Sequence, residues 1–174
     1  MKRWLLGLLL ITGCSDIPVT DYVKFYTPGV EVTGTQFMAH GFYYTAKHVN
    51  PLGDQVGFDI VRLDAAPDRG LSISLDYPKL LDPIRVLVAD WPGVPRIIHG
   101  IVVAEEERDG IFAIFTQYPM FPGCSGSPVI NQEGRVIGVA IRLNNTNPRA
   151  AQVSVFSSVR PQPTSLPSFE EAPK

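Results

Sequence analysis

The chain has 174 residues, of which 45% are hydrophobic, and a formal net charge of −2 at pH 7. This length suffices for one substantial core, arranged as one domain or as two small subdomains. The sequence has no basic stripe with interleaved aromatic residues, which excludes nucleic-acid binding on electrostatic grounds. The 15 glycines and 16 prolines, with short apolar runs between them, favour an all-β chain with tight turns over a helical one.

The first fourteen residues are typical of an export signal. The opening Met-Lys-Arg is basic, and the apolar run from Trp4 to Ile11 is too short to span a bilayer. Residues 10–14 (Leu-Ile-Thr-Gly-Cys) resemble a bacterial lipobox, which implies a signal peptide over 1–13 and a lipid on Cys14. Such a lipid would anchor the protein to a membrane, on the periplasmic side or at the cell surface, and the residue after the cysteine resembles the outer-membrane sorting pattern. The alternative is an ordinary signal peptide that is cut near Cys14 without lipidation.

The remaining elements are predicted, in chain order, from β-branched and aromatic runs bounded by turn residues. Residues 14–29 are expected to form a linker and a first strand, 30–159 the folded domain, and 160–174, rich in Pro, Ser and Glu, a disordered tail. Predicted strands cover 30–33 and 36–38, which alternate weakly, and then 42–45, 56–63, 71–75, 84–88, 97–104, 111–116, 129–130, 136–143 and 151–156. Turns are predicted at 40–41, 51–54 and 105–110.

Two short blocks suggest a histidine base and a serine nucleophile. The first is 34–37 (Gly-Thr-Gln-Phe) running on to 44–49 (Tyr-Thr-Ala-Lys-His-Val), and the second is 122–129 (Pro-Gly-Cys-Ser-Gly-Ser-Pro-Val). A serine hydroxyl becomes a nucleophile at neutral pH only when a base removes its proton and N–H groups receive the oxyanion. His48 and Ser125 fit these roles together, whereas either alone would be an ordinary histidine or an ordinary turn serine.

In this order the two blocks resemble the trypsin-like (chymotrypsin-fold) serine proteases, particularly the bacterial and viral branches without disulfides. The resemblance covers roughly residues 30 to 142, with Lys47 where the family has a small residue before the base. The family's Gly-x-Ser-Gly-Gly-Pro turn matches 123–128 except at Ser127, and this register puts Ser125 in the nucleophile position. The resemblance implies two antiparallel six-stranded β-barrels, the N-terminal one trimmed, and an oxyanion hole formed by the amides of Gly123 and Ser125.

The resemblance also implies a carboxylate that orients the base. Residues 58–63 (Phe-Asp-Ile-Val-Arg-Leu) resemble the family's Asp-Ile-Ala-Leu-Leu block, and we therefore assign Asp59 as the acid of the triad. Asp59 lies 11 positions after His48, where relatives usually insert an extra pair of strands. The competing carboxylates are Asp54 in a turn, Asp64 at a strand end, and Asp76 and Asp90, which are read as solvated loop residues.

The other cysteine and histidine residues could also take part in chemistry, but we interpret them as structural. No Cys and His pairs occur at metal-ligand spacing, so neither a metal nor an organic cofactor is expected. Cys124 is read as a small buried apolar side chain, and it has no cysteine partner for a disulfide if Cys14 carries lipid. His40 and His99 lack motif context and are read as surface or loop residues.

The expected function is that of a monomeric serine endopeptidase that acts on protein or peptide substrates through His48, Asp59 and Ser125. Pro119 occupies the position where an acidic residue would select Lys or Arg, which favours small or apolar substrate side chains. The segment before residue 30 lacks an activation sequence, so activity without propeptide cleavage is expected. The alternative is a catalytically silent binding or structural module, in which the short connection between base and acid misplaces the acid. Ester hydrolysis by the same residues is a third alternative.

Overall fold

The computed structural model describes residues 22–28, 33–67, 69–90, 94–106, 110–143 and 146–156. The predicted signal peptide over 1–13, Cys14 with its lipid and the predicted tail from 160 lie outside these ranges, as do residues 30–32 of a predicted strand. Within the described ranges almost all regular structure is β, and none of their helical residues form a helix long and apolar enough to cross a bilayer.

Eleven strands are formed by the described residues. They are β1 (Val23–Tyr26), β2 (Gly34–Ala39), β3 (Phe42–Ala46), β4 (Asp54–Gln55), β5 (Ile60–Ala65), β6 (Pro83–Asp90), β7 (Val94–Glu106), β8 (Ile111–Thr116), β9 (Pro128–Ile130), β10 (Val136–Leu143) and β11 (Ala150–Ser154). The predicted all-β fold is confirmed.

The N-terminal half is a five-stranded antiparallel sheet in the order β1-β2-β3-β5-β4. The C-terminal half is a closed antiparallel barrel in the order β10-β11-β8-β7-β6-β9. A six-stranded barrel is therefore present as predicted, whereas the N-terminal half, predicted as a trimmed barrel, is an open sheet of five strands among the described residues. Closing a sheet into a barrel removes its exposed edges, which an open sheet has to cover in other ways.

Two large apolar clusters form the core, and one of them joins the two halves. One fills the barrel, where Phe112, Ile114 and Val102 are fully buried. The other joins the outside of the barrel, including Leu87, to the sheet through aromatic rings: Phe37 stacks on Tyr44 at 5.5 Å between ring centroids, and Phe156 meets Tyr44 edge to face at 5.6 Å. Burial raises the pKa of the Tyr44 phenol, and the nearby Arg62 charge partly offsets the rise.

One predicted strand is wrong, and another is only partly confirmed. The predicted strand 56–63 becomes regular only from Ile60. Before it, the Gln55 side chain binds the carbonyls of Gly57 and Phe58, and Gly57 makes only an isolated bridge with Phe156, so no ladder forms there. The predicted strand 71–75 makes only isolated bridges, one from Leu71 to Ala39 and one from Ile73 to Val136. This segment crosses from the sheet to the barrel, so it pairs briefly with each.

Candidate active site

The turn after β3 turns the His48 side chain toward solvent. The amides of Val49 and Asn50 both donate to the Ala46 carbonyl, at 3.0 and 3.2 Å, which curls the chain tightly beyond the strand. Val49 is buried with Ala46 and Ile141 in a small apolar cluster. Because the residue after His48 is anchored in this cluster, the imidazole lies at the surface, with 45% of its side chain exposed.

Asp59 holds His48 at two points. Its Oδ2 lies 2.6 Å from His48 Nδ1, and its Oδ1 accepts a hydrogen bond from the His48 main-chain amide at 3.2 Å. The Lys47 amide in addition donates to the Asp59 main-chain carbonyl at 3.0 Å. A carboxylate at Nδ1 favours the tautomer with the proton on that nitrogen and leaves Nε2 as the acceptor. The first two predicted triad residues are therefore in direct contact.

The loop that carries Asp59 is braced from two sides. Gln55 Nε2 donates to the carbonyls of Gly57 and Phe58, both at 3.0 Å, while its Oε1 accepts from Lys47 Nζ at 2.7 Å. The barrel supports the same loop from the other side. There Gly57 forms an antiparallel bridge with Phe156, and the Asp59 amide donates to Ser154 Oγ at 3.4 Å.

Most amides in the turn around Ser125 are already used. Those of Cys124, Gly126 and Ser127 donate to the carbonyls of Phe121, Ala140 and Cys124, at 3.1, 2.7 and 3.0 Å respectively. The amides of Gly123 and Ser125, by contrast, have no acceptor among the described residues. Gly123 has φ of +104°, a conformation that favours glycine. The turn thus presents two unused N–H groups, one on each side of Cys124.

Sheet and barrel interlock at this turn. Thr35 on β2 donates its amide to the Ser125 carbonyl at 2.7 Å and its hydroxyl to the Gly123 carbonyl at 2.9 Å. Gly34 lies so close that a Cβ there would be 2.8 Å from the Ser125 carbonyl oxygen and 2.7 Å from the Val49 side chain. The segment that carries His48 and the turn that carries Ser125 therefore pack against the same two residues.

The Ser125 hydroxyl, which is partly exposed, has no hydrogen bond to His48 within the described structure. The competing aspartates have other surroundings: Asp54 pairs with Arg62 at 3.0 Å, and Asp76 accepts a hydrogen bond from the Ser74 hydroxyl at 2.8 Å. Asp64 and Asp90 lie on β5 and β6. Asp54, Asp64 and Asp76 do not contact His48 in the part of the chain that the structure describes.

The other residues singled out in the sequence lie either in the apolar core or at the surface. Cys124 is fully buried in the barrel core, and its Sγ accepts a hydrogen bond from the Phe121 amide at 3.4 Å. Pro119 is exposed, whereas the next residue, Met120, is buried in the same core cluster as Cys124. His40 and His99 are both exposed, and His40 Nε2 accepts from the Ile73 amide at 3.1 Å. No group of three or more potential metal ligands occurs among the residues described.

Comparison with protein-family models and with curated proteins finds no match. Solved structures do match. The inactive form of the Rv3671c protease superposes with a TM-score of 0.60 at 18% identity, over 79% of this chain and 84% of that chain; a further structure of Rv3671c is from Mycobacterium tuberculosis. The fold is that of the trypsin-like serine proteases.

Two further structures share the trypsin-like fold. A serine endoprotease from Yersinia pestis has a TM-score of 0.60 at 16% identity, and 59% of its length is covered. The HtrA-type protease AlgW with a tripeptide has a TM-score of 0.58 at 15% identity, and 56% of its length is covered. Each match covers 79% of this chain. Identities this low show the fold alone.

Several residues that shape the site were not assigned a role from the sequence. Thr35 lies in the first motif block, but its contacts are with residues 88 positions away, which no local pattern reveals. Gln55 and Ser154, which brace the Asp59 loop, lie outside both blocks and carry no sequence signal.

Proposed function

We propose that this protein is a serine endopeptidase that hydrolyses peptide bonds through Ser125, His48 and Asp59. Ser125 Oγ attacks the carbonyl carbon of the scissile bond while His48 Nε2 takes its proton, and His48 then gives that proton to the leaving amine. Water repeats the sequence on the acyl-enzyme and releases the second product. Asp59 fixes the tautomer of His48 and stabilises the imidazolium formed during each attack.

The observation that carries the proposal is the double contact between Asp59 and His48. An isolated surface histidine has no need of a carboxylate that holds both its ring and its main chain, at 2.6 and 3.2 Å. That hold orients the ring, which is what a general base requires before it can accept a proton along one direction. The side chain of Asp59 is only 19% exposed, so water competes little for its oxygens.

The two unused amides support the second part of the mechanism. The oxyanion of a tetrahedral intermediate needs preorganised N–H donors that are not committed elsewhere. Gly123 and Ser125 supply two such donors within the part of the chain described, in the turn that carries the nucleophile. We assign these amides to the oxyanion hole.

For the substrate, we propose a peptide with a small or apolar side chain before the scissile bond. This choice is supported by Pro119, which is exposed and stands where the resemblance places an acidic residue in enzymes that select Lys or Arg. We also propose that the protein acts as a monomer.

A catalytically silent binding module is the second candidate. The observation that favours it is the missing hydrogen bond between Ser125 and His48 in the described structure. Such bonds are often long without substrate and tighten in the Michaelis complex, so this geometry is also compatible with catalysis. The two candidates differ in whether Ser125 reacts.

Labelling with a fluorophosphonate probe separates them. We expect the domain from residue 15 onward to be labelled, and Ser125→Ala to lose the label completely. Ser127→Ala, which removes a buried hydroxyl two residues away, and Cys124→Ala, which removes the neighbouring thiol, are the matched controls and should keep the label. A folded but unlabelled wild type would reject the protease and favour the binding module.

We further propose that a lipid on Cys14 anchors the domain to a membrane on the periplasmic side, at the outer membrane. The proposal is supported by the lipobox-like sequence ending at Cys14. In a Gram-negative host grown with an alkyne palmitate analogue, the wild type and Cys124→Ser should incorporate the label and sediment with membranes. Cys14→Ser should do neither, and equal labelling of both cysteine variants would refute the anchor.

A further inference from the structure

One buried threonine links the sheet to both proposed oxyanion-hole residues. Thr35 is fully buried, and it donates to the carbonyl oxygens of Gly123, from its hydroxyl, and of Ser125, from its amide. These are the same two residues whose own amides have no acceptor in the described part of the chain. Thr35 therefore holds Gly123 and Ser125 through their carbonyl oxygens, while the N–H groups of these two residues stay unused.

These contacts fix the peptide units that adjoin the two unused amides. The Gly123 N–H belongs to the unit before Gly123, and the Ser125 N–H belongs to the unit between Cys124 and Ser125. The unit between Gly123 and Cys124, which the Thr35 hydroxyl holds, lies between those two. A peptide unit is planar, so fixing its carbonyl and its N–H fixes its orientation. The unit between Gly123 and Cys124 is held by Thr35 at one end and by the Phe121 carbonyl at the other. The unit between Ser125 and the next residue is held by the Thr35 amide and by a carbonyl of β10. Of these restraints, only the bond from the Thr35 hydroxyl depends on a side chain.

A second hydroxyl fixes Thr35 itself. Thr45, three residues before His48 on β3, donates to the Thr35 carbonyl at 2.7 Å, and both threonines are fully buried. Gly126 seats against the same pair, because a Cβ there would be 2.0 Å from the Thr35 carbonyl oxygen. A chain of buried hydrogen bonds thus runs from β3, the strand that precedes His48, to the turn that carries Ser125.

We propose that Thr35 is a positioning residue, whose hydroxyl aims the amides of Gly123 and Ser125 at the developing oxyanion. This inference rests on the proposed protease function. Removing one oxyanion donor outright lowers kcat by about 10²- to 10³-fold. Thr35→Val keeps both donors but releases one carbonyl, so we expect a fall in kcat of roughly ten- to hundredfold with little change in KM.

The experiment compares wild type, Thr35→Val and Thr35→Ser on 4-nitrophenyl acetate and on its thiono analogue, in which sulfur replaces the carbonyl oxygen. Sulfur is a larger and weaker hydrogen-bond acceptor, so well-aimed donors favour the oxygen ester. Thr35→Val should lower kcat for the oxygen ester and reduce the preference for oxygen over sulfur, and Thr35→Ser, which keeps the hydroxyl, should restore both. Ser74→Ala removes another buried hydroxyl, one that bonds Asp76, and should change neither.

Should Thr35→Val fail to fold, Thr45→Val is measured in the same way, because it frees the Thr35 carbonyl and leaves the Thr35 hydroxyl in place. It should show the same reduced oxygen preference with a smaller fall in kcat. Rates for both esters that fall equally would overturn the inference, since a general structural defect has no reason to distinguish oxygen from sulfur. Full activity in Thr35→Val would overturn the proposed role of Thr35 but not the proposed protease function. A wild type that is not labelled by fluorophosphonate would overturn both.

Discussion

The substitution Asp59→Asn replaces one carboxylate oxygen of the proposed triad acid by an NH₂ group. The Asp59 carboxylate accepts from two donors of His48, the ring Nδ1 at 2.6 Å and the main-chain amide at 3.2 Å. A carboxamide has one acceptor oxygen, so one of these donors must face its NH₂ group. The main-chain amide cannot give up its proton, which leaves the NH₂ group opposite Nδ1. The imidazole proton then moves to Nε2, and the lone pair that would accept the Ser125 proton is lost.

In a Ser-His-Asp triad of this fold the same substitution lowers kcat about 10⁴-fold. This corresponds to about 5.5 kcal/mol of lost transition-state stabilisation. We expect a fall of that order for Asp59→Asn in the hydrolysis of 4-nitrophenyl acetate, with a thermal midpoint close to that of wild type because the side chains have the same shape. Asp54→Asn, which breaks only an exposed ion pair with Arg62, should keep kcat within about twofold. Asp59→Asn with more than a tenth of the wild-type rate would refute the assignment of the acid.

Three further substitutions test the surroundings of the site. Gly126→Ala should lower the free energy of unfolding by about 3 kcal/mol or more, measured in urea, since Gly126 has φ of +89° and a Cβ there would lie 2.0 Å from the Thr35 carbonyl oxygen; an unchanged midpoint would contradict this packing. Ser127→Ala should raise that free energy by about 1 kcal/mol, because the buried Ser127 hydroxyl has no partner in the described structure, and a loss of stability would reveal one. Gln55→Ala should lower kcat about three- to tenfold at unchanged KM by loosening the Asp59 loop, and equal rates in a direct assay would show that the loop holds without it.

Local pattern was sufficient for strands that lie in the barrel. The strands at 111–116 and 136–143 are found with the bounds that were predicted, because their apolar residues are flanked by turn residues. The two-residue strand β4 was missed, since Asp54 and Gln55 are both polar and exposed. The segment 71–75 was predicted as a strand because it alternates, but alternation does not reveal whether a neighbouring strand is available for pairing.

The residues of the candidate site likewise divide into those that a local sequence pattern reveals and those that it does not. His48 and Ser125 were found because their chemistry and their neighbours in sequence form a pattern, and the Asp59 assignment followed from a short block. Thr35 acts through carbonyls of residues about 90 positions further on. Its importance depends on which surfaces the sheet and the barrel bring together, and no local sequence pattern carries that information.

From the sequence, the short connection between His48 and Asp59 suggested that the acid could be misplaced. In the structure, Asp59 contacts His48 directly. With only 11 positions, the chain has no room for an extra pair of strands that could support the acid. The support comes instead from Gln55 within the loop and from the end of the barrel, where Gly57 bridges Phe156 so closely that a Cβ on Gly57 would be 2.6 Å from a main-chain oxygen. Because the last barrel strand braces the acid and β2 braces the nucleophile turn, each half of the molecule completes the part of the site that the other carries. The proposed site therefore forms only when the two halves pack together.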